Sequence, residues 1–418
     1  MLNARHSDRS TEGGFASLGN SAKSIRDQNR ETSIFEQQRT MRFALQRHAG
    51  SLLYEPGSGK RQKFRVCHCC RSVQGEVVII YRATTGANAR YAGVMTCGSG
   101  WTCPVCSVKI GEVRREELSY ANVTHVQNGG RVDLTTMTFP HELDEMTLEE
   151  TMSRFAKARQ KFKNSAPYKA VYDKKKSKLG CIGTVTSMEI THGKNGWHPH
   201  LHMLSFTDRS ISTEEIQLLK KTWVNALLKC GLGDRSKITD MMEYALDVRG
   251  GEDAANYIAK YGREEKWGIT SELTRSHAKK GIGDSVTPFG LLALSDAGDE
   301  VAGELFVEFA NTFIGKRLIT FSPGLRAKFG LSVDRECDED VAAQPDAAND
   351  FVAMLNPDQW RVVLKKDARA SLLAFAAEDC SGYAQVEVDR FVDQLKMMPD
   401  KSRGWFYQPM RPNPANFH

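Results

Sequence analysis

"IGTVTSMEITHGKNGWHPHLHMLSF", Ile182 to Phe206, decides the reading of the chain. It divides into two strand-like runs, Ile182 to Thr191 and Trp197 to Phe206, around "HGKNG", whose Asn195-Gly196 pair is a strong hairpin signal. In a strand, alternate residues share a face, so His198, His200 and His202 point one way while Trp197, Pro199, Leu201 and Met203 point the other. Three of the 11 histidines thus line one face. Loop length then decides which carboxylate joins them. A two-residue loop at Asn195-Gly196 sets Glu189 opposite His202, a four-residue loop from Gly193 to Gly196 sets it opposite His200, and an odd-length loop removes it from that face. Two imidazoles and a carboxylate, His200, His202 and Glu189, leave coordination positions open. A catalytic divalent metal needs such positions if it is also to hold a phosphate oxygen. The bland alternative is a polar edge strand with solvated histidines. Pro199 suits an edge or a strand start, which leaves His198 facing substrate instead of ligating.

Working outward, "RVDLTTMTF" (Arg131 to Phe139) alternates as a strand, and "ELDEMTLEETMSRFAKARQKF" (Glu142 to Phe162) has the spacing of an amphipathic helix. Beyond the hairpin, Thr213 to Gly231 reads as a helix capped by Thr213 and stopped by Gly231. "KITDMMEYALDV" (Lys237 to Val248) reads as a strand and "GEDAANYIAKYG" (Gly251 to Gly262) as a short helix. The order β-α-β-β-α-β predicts an α+β domain over 125–335, built on a split βαβ, ferredoxin-like antiparallel sheet. In the last helix Tyr257 and Tyr261 stand at i and i+4, with Lys260 beside them and Asp253 one turn earlier. Tyrosines at that spacing are usually core. A neighbouring lysine changes their chemistry, because its charge favours the phenolate and stabilises a phosphate under attack.

The chain has 418 residues and a net charge of +6, enough length for two or three domains. Its basic residues are uneven: Thr151 to Gly180 holds ten Lys or Arg and one acid, Asp173, which suggests a polyanion or, more plainly, a solvated surface. The apolar runs are too short to span a bilayer, so a cytoplasmic protein with no membrane partner is expected. Six of ten cysteines fall between Cys67 and Cys106, a clustering that favours metal ligation over disulfides. Cys67-x2-Cys70 and Cys103-x2-Cys106 form two knuckles around a strand-like segment, the layout of a zinc-ribbon-like module over 60–110 with a closed, structural Zn2+. Cys69 and Cys97 are spare thiols, either of which can replace a chosen ligand. Arg61, Lys63, Arg65 and Arg71 would give that module a basic surface. The remaining boundaries are a flexible N-terminal arm (1–55), an acidic linker (336–350) and a helical C-terminal region (351–418).

"LTTMTFP", "WHPHLHML" and "YIAKY", in that order, resemble the HUH endonuclease superfamily, specifically the replication initiators (Rep proteins) of rolling-circle plasmids. "ELTRSHAKKG" (Glu272 to Gly281), "TPFGLL" (Thr287 to Leu292) and "KRLITFSPGLRAKFGL" (Lys316 to Leu331) also resemble segments of bacterial plasmid initiators, so the likeness spans about 60–335. The resemblance implies that His200, His202 and Glu189 hold Mg2+ or Mn2+ and that Tyr257 is the nucleophile. It leaves open whether Tyr261 is a second one, or whether Asp253 or Glu252 activates water at termination. It further implies a sequence-specific nick in single-stranded or hairpin origin DNA, a 5′-phosphotyrosine intermediate, contact with flanking duplex, and a host helicase and replication proteins as partners. Two rivals remain: a transposase or relaxase with the same chemistry, and a non-catalytic zinc-ribbon DNA-binding protein.

Overall fold

The computed structural model describes residues 36–58, 61–83, 89–140, 146–251, 254, 285–332, 335–343, 349–377 and 384–400. Helix α1 (36–52) precedes strands β1 (Val78–Ala83) and β2 (Ala89–Ala92) and the long helix α2 (Pro104–Gln127). Then come β3 (Arg131–Met137), α3 (Leu148–Asn164), α4 (Ala166–Tyr172), β4 (Gly183–Gly193), β5 (Gly196–Thr207), α5 (Thr213–Leu228), α6 (Ile238–Tyr244) and β6 (Leu246–Gly250). The chain continues with α7 (Pro288–Asp296), α8 (Glu300–Phe313), β7 (Ile319–Phe321), α9 (Leu325–Lys328) and α10 (Asp338–Ala343). It closes with β8 (Asn349–Leu355), α11 (Pro357–Lys365), α12 (Arg369–Ala377) and α13 (Ala384–Lys396). The protein is α+β, and among the described residues it has two sheets whose neighbouring strands are all antiparallel. Among the described residues no helix is long and apolar enough to cross a membrane.

The larger sheet has the order β6-β3-β5-β4-β7. The β4–β5 hairpin turns at Lys194-Asn195, with Gly193 paired to Gly196, so Gly196 takes the left-handed backbone (φ 83°) that glycine adopts without a steric penalty. The loop is thus two residues long and lies one residue before the expected Asn195-Gly196, which gives the register of the four-residue alternative, and Glu189 faces His200. Pro199 pairs only with β4, because β3 stops opposite Leu201, so its missing N–H costs the ladder nothing.

On one face of this sheet, Met137, Leu201 and Met203 pack with Phe155, Phe162, Tyr168, Trp223 and Leu227 from α3, α4 and α5. Each such side chain contributes about 1.5–3 kcal/mol on burial. The helices start where the chain supplies caps. Thr147 accepts the Glu150 N–H at the start of α3, and Ser212 with Glu215 makes a capping box for α5, one residue ahead of the expected Thr213. The opposite face is apolar at one end, where Val132, Leu134, Leu204 and Phe206 meet Leu118 and Ala121 of α2. At its other end lie Thr136, His202, His200 and Glu189.

Several expected boundaries differ. Within the expected 1–55 arm, 36–52 form a helix whose Phe43, Leu45 and Ala49 are buried. Lys237 to Val248 is mostly the helix α6, with the strand delayed to Leu246. The 336–350 segment, whose acidic composition suggests a solvated linker, contains α10, and its Asp338 is buried, paired with Arg114 and accepting the Leu318 N–H. The cysteine-rich segment and the C-terminal region are not separate: β8 pairs with β1 in the sheet β2-β1-β8. One continuous core joins Phe43, the cysteines, Phe306, Phe309, Trp360, Leu372 and Val392.

Candidate functional site

The histidine face is ordered by hydroxyls from the neighbouring strand. Glu189 Oε2 lies 2.9 Å from His202 Nε2, and the His202 Nδ1 lies 3.1 Å from Thr136 Oγ1. A hydroxyl can donate or accept, so Thr136 suits either tautomer: it accepts from Nδ1–H when Nε2 offers its lone pair to a cation. The His200 Nε2 lies 2.9 Å from His198 Nδ1, and His198 Nε2 lies 2.7 Å from Thr138 Oγ1. Thr138 and Thr136 therefore serve the site as supports. Thr135 points to the helical face, where it is buried against the Tyr172 hydroxyl at 2.8 Å. His202 is nearly buried while Glu189 is half-exposed, so the pair is open to solvent on its carboxylate side.

The structure brings Glu189 and His202 into contact and sets His200 directly across from Glu189, with His198 adjoining His200. Among the described residues these donors form two neighbouring pairs, while a tight group of three or more convergent donors occurs at the cysteines. Asp253, Tyr257, Lys260 and Tyr261 lie outside the described residues. Two described residues bear on that stretch, Ala254 within it and Val286 beyond it. Ala254 is helical, fully buried and packed in the core with Leu134 and Phe206, on the sheet face that carries the histidines. Val286 bridges to His192 beside the hairpin turn, exchanging both backbone hydrogen bonds at 2.7 and 2.8 Å.

Cys69, Cys97, Cys103 and Cys106 place their sulfurs within 4.8 Å of one another and are all buried. The expected set shared only Cys103 and Cys106 with this group; Cys67 and Cys70 are outside it. The "CHCC" run offers two spacings, and the backbone selects the second: Cys70 takes φ 52°, and the Cys67 thiol is 3.4 Å from the Gly50 carbonyl, pushed up to about 11 by burial. The sulfur separations of 3.5 Å (Cys69 to Cys106), 3.7 Å (Cys97 to Cys106) and 3.7 Å (Cys103 to Cys69) fit a tetrahedral metal. Metal–sulfur bonds of about 2.3 Å put tetrahedral sulfurs about 3.8 Å apart. Backbone N–H groups of Cys97, Ser99 and Cys106 point at these sulfurs, as does the Gln46 amide. Such donors, with the N-terminus of α2 at Cys103, stabilise thiolate charge. Burial pushes the Cys103 thiol up, but hydrogen bonds from Cys106, Cys69 and Cys97 outweigh it and hold Cys103 well below the ordinary range. Those bonds hold Cys69 and Cys97 above it. The group could hold a metal such as zinc, which would let all four thiols ionise.

Arg369 of α12 closes this centre from the C-terminal side. It is buried, donates to Gln46 Oε1 at 2.7 Å and to the Cys70 carbonyl at 3.2 Å, and lies over the Phe43 ring. On the other side Trp101, between Cys97 and Cys103, packs on Phe309 and Phe313, and Phe309 stacks on Trp197 of the histidine strand. Glu308 of α8 accepts the Trp197 indole N–H at 2.9 Å and the Leu148 N–H at 2.6 Å.

The resemblance read from the motifs to Rep proteins is matched by similarity along most of the chain. A Streptomyces lividans protein named Protein rep is 25% identical, over 69% of this chain and 76% of its own length. A neomycin resistance protein of Streptomyces cyanogenus is 29% identical over a shorter stretch, 30% of this chain and 33% of its own. No family model matches the chain, and no solved structure matches it.

Proposed function

We propose that the protein initiates plasmid rolling-circle replication, as an HUH endonuclease that nicks one strand at the origin and stays joined to it. The carrying observation is the Glu189–His202 contact on a sheet face shared with His200 and with buried Ala254, three residues before Tyr257. The similarity to Protein rep supports the biological role. The strand order β6-β3-β5-β4, with helices after β3 and β5, supports a ferredoxin-like catalytic sheet.

In this reading Glu189, His200 and His202 would hold a Mg2+ or Mn2+ ion, whose chemistry when bound would be to polarise the scissile phosphate. The Tyr257 phenol loses its proton and its oxygen bonds to phosphorus. The bond from phosphorus to the 3′-oxygen breaks, and that oxygen takes a proton to become the primer hydroxyl. Lys260 steadies the phosphate, while Asp253 and Tyr261 are candidates for the later step that ends the cycle. We assign Zn2+ to Cys69, Cys97, Cys103 and Cys106 as a structural ion with no open position.

The test is to incubate the protein and Mn2+ with single-stranded oligonucleotides tiled across its replicon. A covalent adduct that survives denaturation is expected from the wild type and not from Tyr257→Phe. No wild-type adduct on any tile sinks the reading, and an adduct retained by Tyr257→Phe moves the nucleophile to Tyr261.

A further inference from the structure

The ten basic residues between Thr151 and Gly180 fall on α3, α4 and the turn after them, which cover the sheet face opposite the histidines. Leu148, Thr151, Phe155, Ala158 and Phe162 turn inward on α3, so Lys157 and Lys161 project together from its outer side, one helical turn apart. After α4, Lys174, Lys175, Lys176 and Lys178 are exposed in a tight turn. The acid in this stretch is already engaged: Asp173 accepts the backbone N–H groups of Lys175 and Lys176. Glu150, at the start of α3, pairs with Arg154. Among the described residues no carboxylate forms an ion pair with any of these six lysines. A merely solvated helix carries alternating signs at i and i+4. This surface instead accumulates one sign.

We propose that this back face is a docking surface for duplex DNA, separate from the strand-nicking face on the other side of the sheet. It deepens the function proposed above, and rests on that reading for the identity of the polyanion. The choice of duplex over single strand comes from the aromatics. Binding of single strands relies on exposed rings on which bases stack. Here Phe155, Phe162, Tyr168 and Tyr172 are all buried, so the surface offers ammonium groups and no stacking platform. It suits a sequence-independent rail of phosphates, since lysines about 6 Å apart roughly match the separation of successive phosphates along one strand. Burial, then the neighbouring Arg159 charge, holds the Lys163 ammonium below its ordinary range.

The test uses the full chain without added divalent metal, a mixed-sequence duplex of about 30 base pairs and one of its strands, with affinity followed against salt. The wild type is expected to bind the duplex with a steep salt dependence. K175E/K176E/K178E, which spares Lys174 because it donates to the Pro323 carbonyl, should weaken duplex binding about 10–100-fold at ~0.1 M salt and cut the log–log slope by about 2–3. K157Q/K161Q should give a smaller loss in the same direction, with melting temperatures unchanged in both variants. Nicking of a single-stranded origin oligonucleotide should persist in both. Duplex affinity and slope that stay unchanged overturn the proposal. So does an equal loss on single strand and duplex, or preferential capture by phosphatidylglycerol vesicles. If the wild type makes no adduct, the nuclease reading fails, while the duplex measurement still reports on this surface alone.

Discussion

Thr136 sits where a small change tests the histidine face. Its hydroxyl is 3.1 Å from His202 Nδ1, and β3 holds it in register opposite that histidine. Thr136→Val keeps the shape and the β preference but removes the hydrogen bond, so the metal-dependent nicking proposed above should fall about 10–100-fold with little change in melting temperature. Kinetics at saturating and limiting Mn2+ would check this; an unchanged metal requirement contradicts a supporting role. The contact of Glu189 with His202 shows where sequence reading stops. Alternation and an even-length hairpin are enough to place Glu189 on the histidine face, opposite His200 or His202, and the structure selects His200. They do not give side-chain torsions, and Glu189 reaches past its direct partner to the histidine one pair further along.

Among the elements, the cysteine centre separates local spacing from three-dimensional placement. Two CxxC knuckles suggest Cys67 and Cys70, but Cys97, far from any knuckle partner on its N-terminal side, completes the group with Cys69. Cys69→Ser and Cys97→Ser should each reduce bound zinc and lower the melting temperature, whereas Cys70→Ser should retain about one zinc per chain, by metal analysis. Strand β8 has no polar-apolar alternation in its "NDFVAML" and lies where a linker and then helix were expected; its partner β1 is early in the sequence, and no local pattern reveals such a distant pairing. The link has a measurable effect. Gln46 joins Arg369 of α12 to the Cys103 sulfur, so stripping the metal with a chelator should expose the chain beyond 349 to proteolysis before the β4–β5 hairpin. Simultaneous cleavage at both places would contradict it.

Across the whole molecule, a buried charge network ties α2 to the later segments. Arg114 pairs with Glu117 at 2.8 Å and Asp338 at 3.2 Å, and Arg326 of α9 reaches Glu117 at 2.7 Å. Burial pushes the Glu117 carboxyl up, but Arg326 and Arg114 outweigh it and hold it below its ordinary range. A depressed carboxyl stabilises the fold above its unfolded-state pKa, and that contribution disappears as pH falls through the depressed value. Asp338 has the opposite sign, since burial dominates and raises it, so it favours the fold as pH falls. Glu117→Gln should cost about 3–5 kcal/mol near neutral pH by leaving the two largely buried guanidiniums of Arg114 and Arg326 with Asp338 as their one remaining carboxylate partner. The gap from wild type should narrow steadily on acidification below about pH 4.5, as followed by denaturant melts. A gap independent of pH would assign the loss to packing.

The aromatic bridge from Trp101 through Phe309 to Trp197, fastened by Glu308, bears on how such proteins can diverge. The cysteine loop and the histidine hairpin lean on the same ring, so neither can be exchanged with a relative's counterpart alone. Recombinants that carry over one without the other should lose the alignment of the histidine strand even with every histidine retained. The two stretches are expected to be inherited as a single heritable block, despite the long interval of chain between them.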